Sequence, residues 1–280
     1  MRKPYRSDLT DEPWDLIRDL LPAAKPGGRP RAVDLREVVN TLMYQARTGC
    51  QGDYLPHDLV AKSTAFDYFV AWQKDGAFQT ILDALRGKIR QEAGRQETPS
   101  AACIATQTVK TTEMGGPVGY DGKKIKGRKR PIVVDTLGLL LAVVVTAANL
   151  DDGTSAALVL GKLRAEQYPR LEKVFADNKY KNKTLQRWMF ANEAPYQIEI
   201  GMKPEGEKGF KPVKIRWVVE QSHACLGRCR RLSKDDERLT SSSETWVQLS
   251  AIQRMLRRLK PDPNNQQAEF KYPRKDKESA

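Results

Sequence analysis

Two acidic side chains stand where they could take part in metal-dependent chemistry. Asp177 directly follows the apolar residues 174–176, and ligands gather at the carboxyl ends of strands in open α/β sheets. Glu220 follows Arg216 by one helical turn in an apolar-rich segment, so the arginine can hold this glutamate in its charged form. An Arg–Glu pair at this spacing is more often a plain surface salt bridge. The residue types alone therefore give no reason to prefer a metal site.

A dense basic cluster precedes a predicted strand. Residues 120–130 hold six basic side chains against one acidic side chain. A mobile basic loop beside a sheet is suited to grip a phosphate backbone, since each neutralised phosphate releases counterions. A solvated loop that only keeps the protein soluble is the alternative, but the local excess of charge favours phosphate contact. The cluster consists of Lys123, Lys124, Lys126, Arg128, Lys129 and Arg130.

Other basic residues are predicted to contact DNA as well. They are Arg29 and Arg31 in a stiff basic loop, Arg216 beside Glu220, and Arg228, Arg230 and Arg231 after the helix that carries Glu220. The chain of 280 residues has 48 basic and 35 acidic residues, a formal net charge of +13. An excess this large indicates a polyanionic partner, with nucleic acid as the first candidate, although many proteins are basic only to stay soluble.

Other features argue against several classes of protein. The longest apolar run, residues 137–148, is shorter than the roughly 20 residues that a membrane helix needs. The first residues contain no apolar segment typical of a secretory signal. The four cysteines are too sparse for a disulfide framework, and a zinc site at Cys225 and Cys229 would need two further ligands. We therefore predict a protein of the reducing cytoplasm without a membrane partner.

The pattern of apolar residues divides the chain. Residues 1–95 are predicted to be amphipathic helices; in one of them Asp34 is the capping residue and Gly49 ends the apolar stripe. Short runs rich in Val, Ile and Leu then alternate with helices, which predicts an α/β domain over residues 96–260. Residues 261–280 are polar and are predicted to be a disordered tail.

The apolar runs after residue 100 predict individual strands. Residues 101–106, 173–176 and 197–200 have the length and composition of short strands. Residues 132–134 and 139–145 are joined by Asp-Thr-Leu-Gly, which predicts a hairpin turn.

Longer motifs extend over most of the chain, from about residue 9 to residue 259. In the first part they are Leu9-Thr10-Asp11, Gly27-Gly28-Arg29-Pro30-Arg31 and Arg47-Thr48-Gly49-Cys50-Gln51. In the second part they are residues 106–113, 115–117, 119–121, 126–130 and 134–139, then Arg216-Trp217-Val218-Val219-Glu220 and residues 226–234. Together these motifs resemble bacterial insertion-sequence transposases, in particular the insertion-sequence-five family.

The resemblance implies a ribonuclease-H-like catalytic domain, preceded by a helical DNA-binding domain, with an Asp-Asp-Glu triad. In this family the three carboxylates bind two divalent ions, normally Mg²⁺ (or Mn²⁺), for the cleavage of a phosphodiester bond. By motif position, Asp177 is the second acid and Glu220 is the third. The first acid falls on Ala105, and alanine cannot ligate a metal. The resemblance therefore predicts weakened metal binding and failed catalysis.

The predicted function is that of a DNA transposase which binds the terminal inverted repeats of its own element. The resemblance implies a homodimer on double-stranded DNA, associated with the bacterial nucleoid. With Ala105 in place, we expect the protein to bind DNA but not to cut it. The alternative is a transposase-derived repressor or competitor with no catalytic role. A third possibility is an ordinary basic nuclease whose metal ligands have moved to other positions.

Overall fold

The computed structural model describes residues 2–24, 27, 31–113, 115–201 and 217–261 of the chain. The tail predicted to be disordered thus lies outside the described residues, except for Pro261. No helix within the described ranges is long and apolar enough to cross a bilayer. The helices are α1 (Asp11–Asp15), α2 (Leu35–Thr48), α3 (Lys62–Lys74), α4 (Ala77–Glu92), α5 (Asp152–Leu160), α6 (Lys183–Ala191), α7 (Trp217–Leu226) and α8 (Thr240–Leu259).

Helix α2 begins and ends at residues whose chemistry suits those positions. Asp34 accepts a hydrogen bond from the main-chain N–H of Arg36 at 2.8 Å, which satisfies one of the amides left open at a helix start. Gly49 ends the helix with a φ of 72°, a left-handed conformation that glycine adopts without strain. Both ends confirm the prediction made from the sequence.

The strands are β1 (Ala101–Lys110), β2 (Gly119–Tyr120), β3 (Lys126–Asp135), β4 (Leu140–Val143), β5 (Thr146–Ala147), β6 (Lys173–Ala176) and β7 (Gln197–Ile200). Within the described chain they form a seven-stranded sheet in the order β2–β3–β1–β6–β7, with β4 and β5 also paired to β3. β1 is antiparallel to β3 and parallel to β6, and β6 is parallel to β7. Helices α5 and α6 precede and follow β6. This mixed α/β arrangement is consistent with a ribonuclease-H-like fold.

The predicted hairpin is confirmed, but two strands are longer than predicted. Asp135 at the turn accepts hydrogen bonds from the main-chain N–H groups of Leu137 and Leu139, both at 2.9 Å. β1 continues to Lys110, and β3 begins at Lys126, so four of the six residues of the basic cluster lie in a strand rather than in a loop. The two polar strand ends pair with each other, and this tertiary pairing extends the strands beyond the apolar pattern.

In the described part of the chain, the amino-terminal helices share one hydrophobic core with α8 and the sheet. The apolar faces of α2, α3 and α4 pack with α8 and one face of the sheet in a single cluster of buried residues. Phe69 of α3 stacks on Trp246 of α8, with ring centroids 4.6 Å apart. A second core lies on the other face of the sheet, with α5 and α6. The domain boundary predicted at 95/96 therefore does not separate two cores, and the division of roles between the segments stays a prediction.

Candidate active-site cleft

A cleft of about 780 Å³ opens between β1, the end of β6 and α7. Ala105, Asp177 and Glu220 all line this cleft. These are the three positions that the family resemblance assigns to the triad, so the fold brings together positions that are far apart in the sequence. Their catalytic role stays a prediction.

Ala105 lies within β1, opposite Ile132 of β3. Its main-chain oxygen is 3.4 Å from the ring Nε2 of His223, a buried residue of α7. Burial lowers the pKa of His223 to about 4; the hydrogen bond with Ala105 opposes this shift, and the charge of Arg130 adds to it. The imidazole is therefore neutral near pH 7, and with its proton on Nε2 it donates to the Ala105 carbonyl.

Asp177 begins a single 3-10 turn, Asn178–Tyr180, directly after β6. Its carboxylate Oδ1 accepts a hydrogen bond from the main-chain N–H of Lys179 at 2.9 Å, which fixes the carboxylate at the edge of the cleft. Tyr180 is buried, and its hydroxyl lies 2.9 Å from Oγ1 of Thr106 in β1. This contact joins the turn that carries Asp177 to the strand that carries position 105.

Glu220 is an exposed residue of α7, at the cleft. The buried residues Val219 and Ser222 hold this helix on the sheet, and the Ser222 hydroxyl donates to the main-chain oxygen of Gly138 at 3.1 Å. Arg216, which was predicted to hold Glu220 in its charged form, lies outside the described residues. The predicted Arg216–Glu220 pair therefore stays a prediction.

Two further carboxylates line the cleft, and no role was predicted for either of them. Asp152 at the start of α5 forms an ion pair with Lys129 of β3 at 2.8 Å. Asp121 accepts hydrogen bonds from the main-chain N–H groups of Ile125 and Lys123, at 2.9 and 2.8 Å, and the bond from Ile125 is the main cause that lowers its pKa. The Asp-Gly pair at 121–122 is a turn signal that could have identified Asp121. The position of Asp152 depends on tertiary packing.

The donor atoms around the cleft do not make up a set of three carboxylates for metal ions. Position 105 presents a methyl group, while Asp152 is paired with Lys129 and Asp121 accepts hydrogen bonds from main-chain amides. In the described part of the chain, no three His, Cys, Asp or Glu side chains are grouped so that they could hold a metal ion. Since Mg²⁺ requires near-octahedral oxygen coordination, these residues do not fit the two-ion centre that the resemblance implies.

The basic cluster divides into exposed and buried residues. Its exposed members are Lys123, Lys124 and Lys126, and Lys123 lines the cleft together with the half-buried Lys129. Arg128 and Arg130 are buried and share the carboxylate of Asp235, at 2.8 and 3.2 Å. The prediction that Arg128 and Arg130 contact DNA is wrong, because strand alternation directs both side chains into the protein.

The arginines after α7 also differ from one another. Arg228 and Arg230 are exposed, and their contact with DNA stays a prediction. The guanidinium of Arg231 lies 2.6 Å from Oε1 of Glu237 and 4.3 Å from the ring centroid of Trp246. The guanidinium of Arg231 is thus occupied by contacts within the protein, which argues against the predicted contact with a DNA phosphate.

The predicted contacts in the amino-terminal loop are only partly described. Arg31 is exposed, and its guanidinium carbon lies 5.8 Å from the ring centroid of Tyr68. Arg29, like Arg216, lies outside the described residues, so the DNA contacts predicted there stay predictions.

Comparison with known proteins defines the class of this chain. Residues 97–253, more than half of the chain, match the family model "Transposase DDE domain". Residues 9–82 match the family model "Putative transposase of IS4/5 family". The chain therefore belongs to the DDE transposases of insertion sequences, as the motifs predicted. This family acts on DNA, and its domains generally use divalent metal ions.

A particular relative supports the same assignment. The "Putative transposase for insertion sequence element IS402" of Burkholderia cepacia is 33% identical to this chain over 129 residues, which cover 44% of the chain. The match spans 60% of the length of that relative.

Proposed function

We propose that this chain binds the terminal inverted repeats of an insertion sequence and that its cleft is the strand-cleavage site of a transposase. The observation that carries the proposal is the convergence of Ala105, Asp177 and Glu220 on one cleft. Residues 1–95 supply the helical DNA-binding part and residues 96–260 the ribonuclease-H-like part, on double-stranded DNA as a homodimer. In the bacterial cell such a protein would be found with the nucleoid.

We propose further that this copy is catalytically impaired. Two-ion phosphodiester chemistry needs carboxylate oxygens that hold both divalent ions. The methyl group of Ala105 offers no oxygen at the position that matches the first acid. Asp177 and Glu220 are the two cleft carboxylates left to hold Mg²⁺ or Mn²⁺, and two carboxylates do not make up the two-ion centre of the family. With two carboxylates in place of three, we expect weakened ion binding and derive no cleavage step.

The decisive experiment restores the missing group. The full-length protein, its Ala105→Asp variant and a matched Ala105→Asn variant are incubated with Mg²⁺ or Mn²⁺ and labelled duplexes that carry the inverted repeats flanking the coding sequence. We expect strand cleavage only with Ala105→Asp. Cleavage by the wild type at the same rate would show that the first acid lies elsewhere, as in a nuclease with relocated ligands.

A second function is favoured by the same alanine. A transposase-derived protein that binds the element ends without cutting them would act as a repressor or a competitor. If the wild type and Ala105→Asp bind the ends equally, cleave in neither case and block cleavage by an active relative, this binding function is supported and the transposase function is excluded for this chain.

A further inference from the structure

A basic stripe runs along the segment that follows Asp177. Four basic side chains occur between residues 178 and 192, with no acidic residue among them: Lys179, Lys181, Lys183 and Arg187. All four are exposed. None of them belongs to the basic residues that the sequence motifs single out. We call these four residues the α6 stripe.

The fold holds the α6 stripe on a fixed support. Asn182 caps α6 by accepting a hydrogen bond from the main-chain N–H of Leu185 at 2.9 Å. Leu185 is buried in the core under α5 and α6, so the opposite face of the helix points to solvent. Lys183 and Arg187 lie one turn apart on that face, about 6 Å along the helix axis. This spacing is close to the axial rise over two nucleotide steps of one DNA strand, about 7 Å.

The stripe begins at the cleft itself. Lys179 lines the cleft, next to Asp177. The start of α6 also lies against the start of α5, because a Cβ atom added at Gly153 would come within 2.2 Å of Oδ1 of Asn182. Asp152, the residue before Gly153, lines the same cleft. The stripe therefore extends outward from one wall of the cleft.

A second basic wall faces this cleft from the hairpin between β2 and β3. Asp121 holds the turn through the two main-chain amides described above, and Lys124 adopts a left-handed conformation with a φ of 60°. Lys123 and Lys124 are thereby presented at the tip of a fixed turn, and Lys123 lines the cleft. Positive charge thus stands on both sides of the candidate active site.

We propose that the α6 stripe is a DNA-backbone binding surface, and that a duplex crosses the cleft between this stripe and the hairpin tip. The inference rests on the proposed DNA binding and adds a surface to it. Four exposed cations on a capped helix and its leading turn favour a polyanion, because each phosphate contact releases counterions. If these residues form only a solvated face that maintains solubility, their charges should not affect how DNA affinity depends on salt concentration.

The test compares two charge-matched variants of the full-length protein. The stripe variant carries Lys181→Gln, Lys183→Gln and Arg187→Gln. The control variant carries Lys88→Gln, Arg164→Gln and Arg170→Gln, three exposed residues that do not line the cleft. Affinity for a duplex that carries the inverted repeats is measured by fluorescence anisotropy over a series of salt concentrations. The logarithm of the association constant falls as the logarithm of the salt concentration rises. We expect this negative slope to become shallower by about 2–3 in the stripe variant and to stay unchanged in the control variant.

A measurement on the wild type makes the result independent of how the variants fold. Lysine acetylation, read by mass spectrometry with and without duplex, should show that DNA protects Lys181 and Lys183 but not Lys88. Equal slopes for both variants, or equal acetylation of the stripe with DNA bound, would overturn the inference while DNA binding itself stands. A wild type that binds no duplex would overturn both the inference and the proposed function.

Discussion

The ring of His223 ties α7 to β1 at position 105, with its Nε2 3.4 Å from the main-chain oxygen of Ala105. The helix that carries Glu220 is thus joined to the strand that carries position 105. Because the bond goes to the main chain, it does not depend on which side chain occupies position 105. Substitutions of Ala105 can therefore be interpreted as changes in the chemistry of the cleft.

Restoring a carboxylate at position 105 should strengthen cation binding, which the alanine is expected to weaken. Ala105→Asp adds an oxygen ligand beside Asp177 and Glu220, which all face one cleft. At a Mn²⁺ concentration 100 times the Kd, binding adds about 2.7 kcal/mol to the free energy of unfolding, or about 5–10 °C in Tm. Thermal unfolding with and without Mn²⁺ measures this shift. Ala105→Asn should show no more than the wild type, and an equal shift in all three proteins would contradict the prediction.

The buried ion pairs of Asp235 should contribute strongly to stability. Asp235 is fully buried and balances both Arg128 and Arg130. Asp235→Asn leaves two buried guanidinium groups without a counter-charge, which should cost about 3–5 kcal/mol in the free energy of unfolding. Asp53→Asn is the matched control, since its pair with Lys62 is exposed and should contribute about 0–1 kcal/mol. Urea unfolding compares the two variants, and equal losses would refute the structural role of the buried pair.

Gly49 should be needed for close packing as well as for its backbone conformation. Gly49 and Gly76 share a φ of 72° and a ψ of 13°, so alanine is equally strained at both, by about 1–2 kcal/mol. A Cβ at Gly49 would also lie 3.1 Å from the main-chain N of Arg231, whereas Gly76 has open space. Gly49→Ala should therefore destabilise the protein by about 1–3 kcal/mol more than Gly76→Ala. The difference in urea midpoints measures this packing, and identical midpoints would speak against it.

Acid should weaken the fold through His223. Burial lowers the pKa of this residue to about 4 from its usual value of 6.5. The unfolded chain therefore binds the proton more readily, and the stabilising contribution is complete above pH 6.5 and is lost as the pH falls towards 4. Between pH 7.5 and 4, the wild type should lose about 2–3 kcal/mol more than His223→Gln. The cleft carboxylates are the same in both proteins, so parallel pH profiles would show that His223 is not responsible.

Local chemistry allowed much of the framework to be predicted. The limits of α2 follow from Asp34 and Gly49, because capping and left-handed glycine act within a few residues. Strand β6 and the hairpin at Asp135 were predicted from short apolar runs and a turn signal. The motifs also located Ala105, Asp177 and Glu220, which the fold brings to one cleft, although composition alone gave no reason to prefer a metal site there.

Predictions from the sequence failed for residues whose positions depend on tertiary contacts. Arg128 and Arg130 looked like loop residues that contact phosphate, but the pairing of β1 with β3 places them in a strand, where they meet Asp235. Nothing near Asp235 in the sequence indicates that it is a buried counter-charge. Asp152 likewise reaches the cleft only through the packing of α5, so its pair with Lys129 could not be predicted from spacing.

The stacking of Phe69 on Trp246 has a consequence for synthesis on the ribosome. The apolar faces of α2, α3 and α4 are covered by α8, which is the last helix in the described chain. The parts of these faces that contact α8 stay exposed until residues 240–259 have been translated, since long-range packing cannot form before both partners exist. A truncated product that ends before α8 would therefore not release a folded amino-terminal fragment. It would expose an apolar surface that favours aggregation or proteolysis.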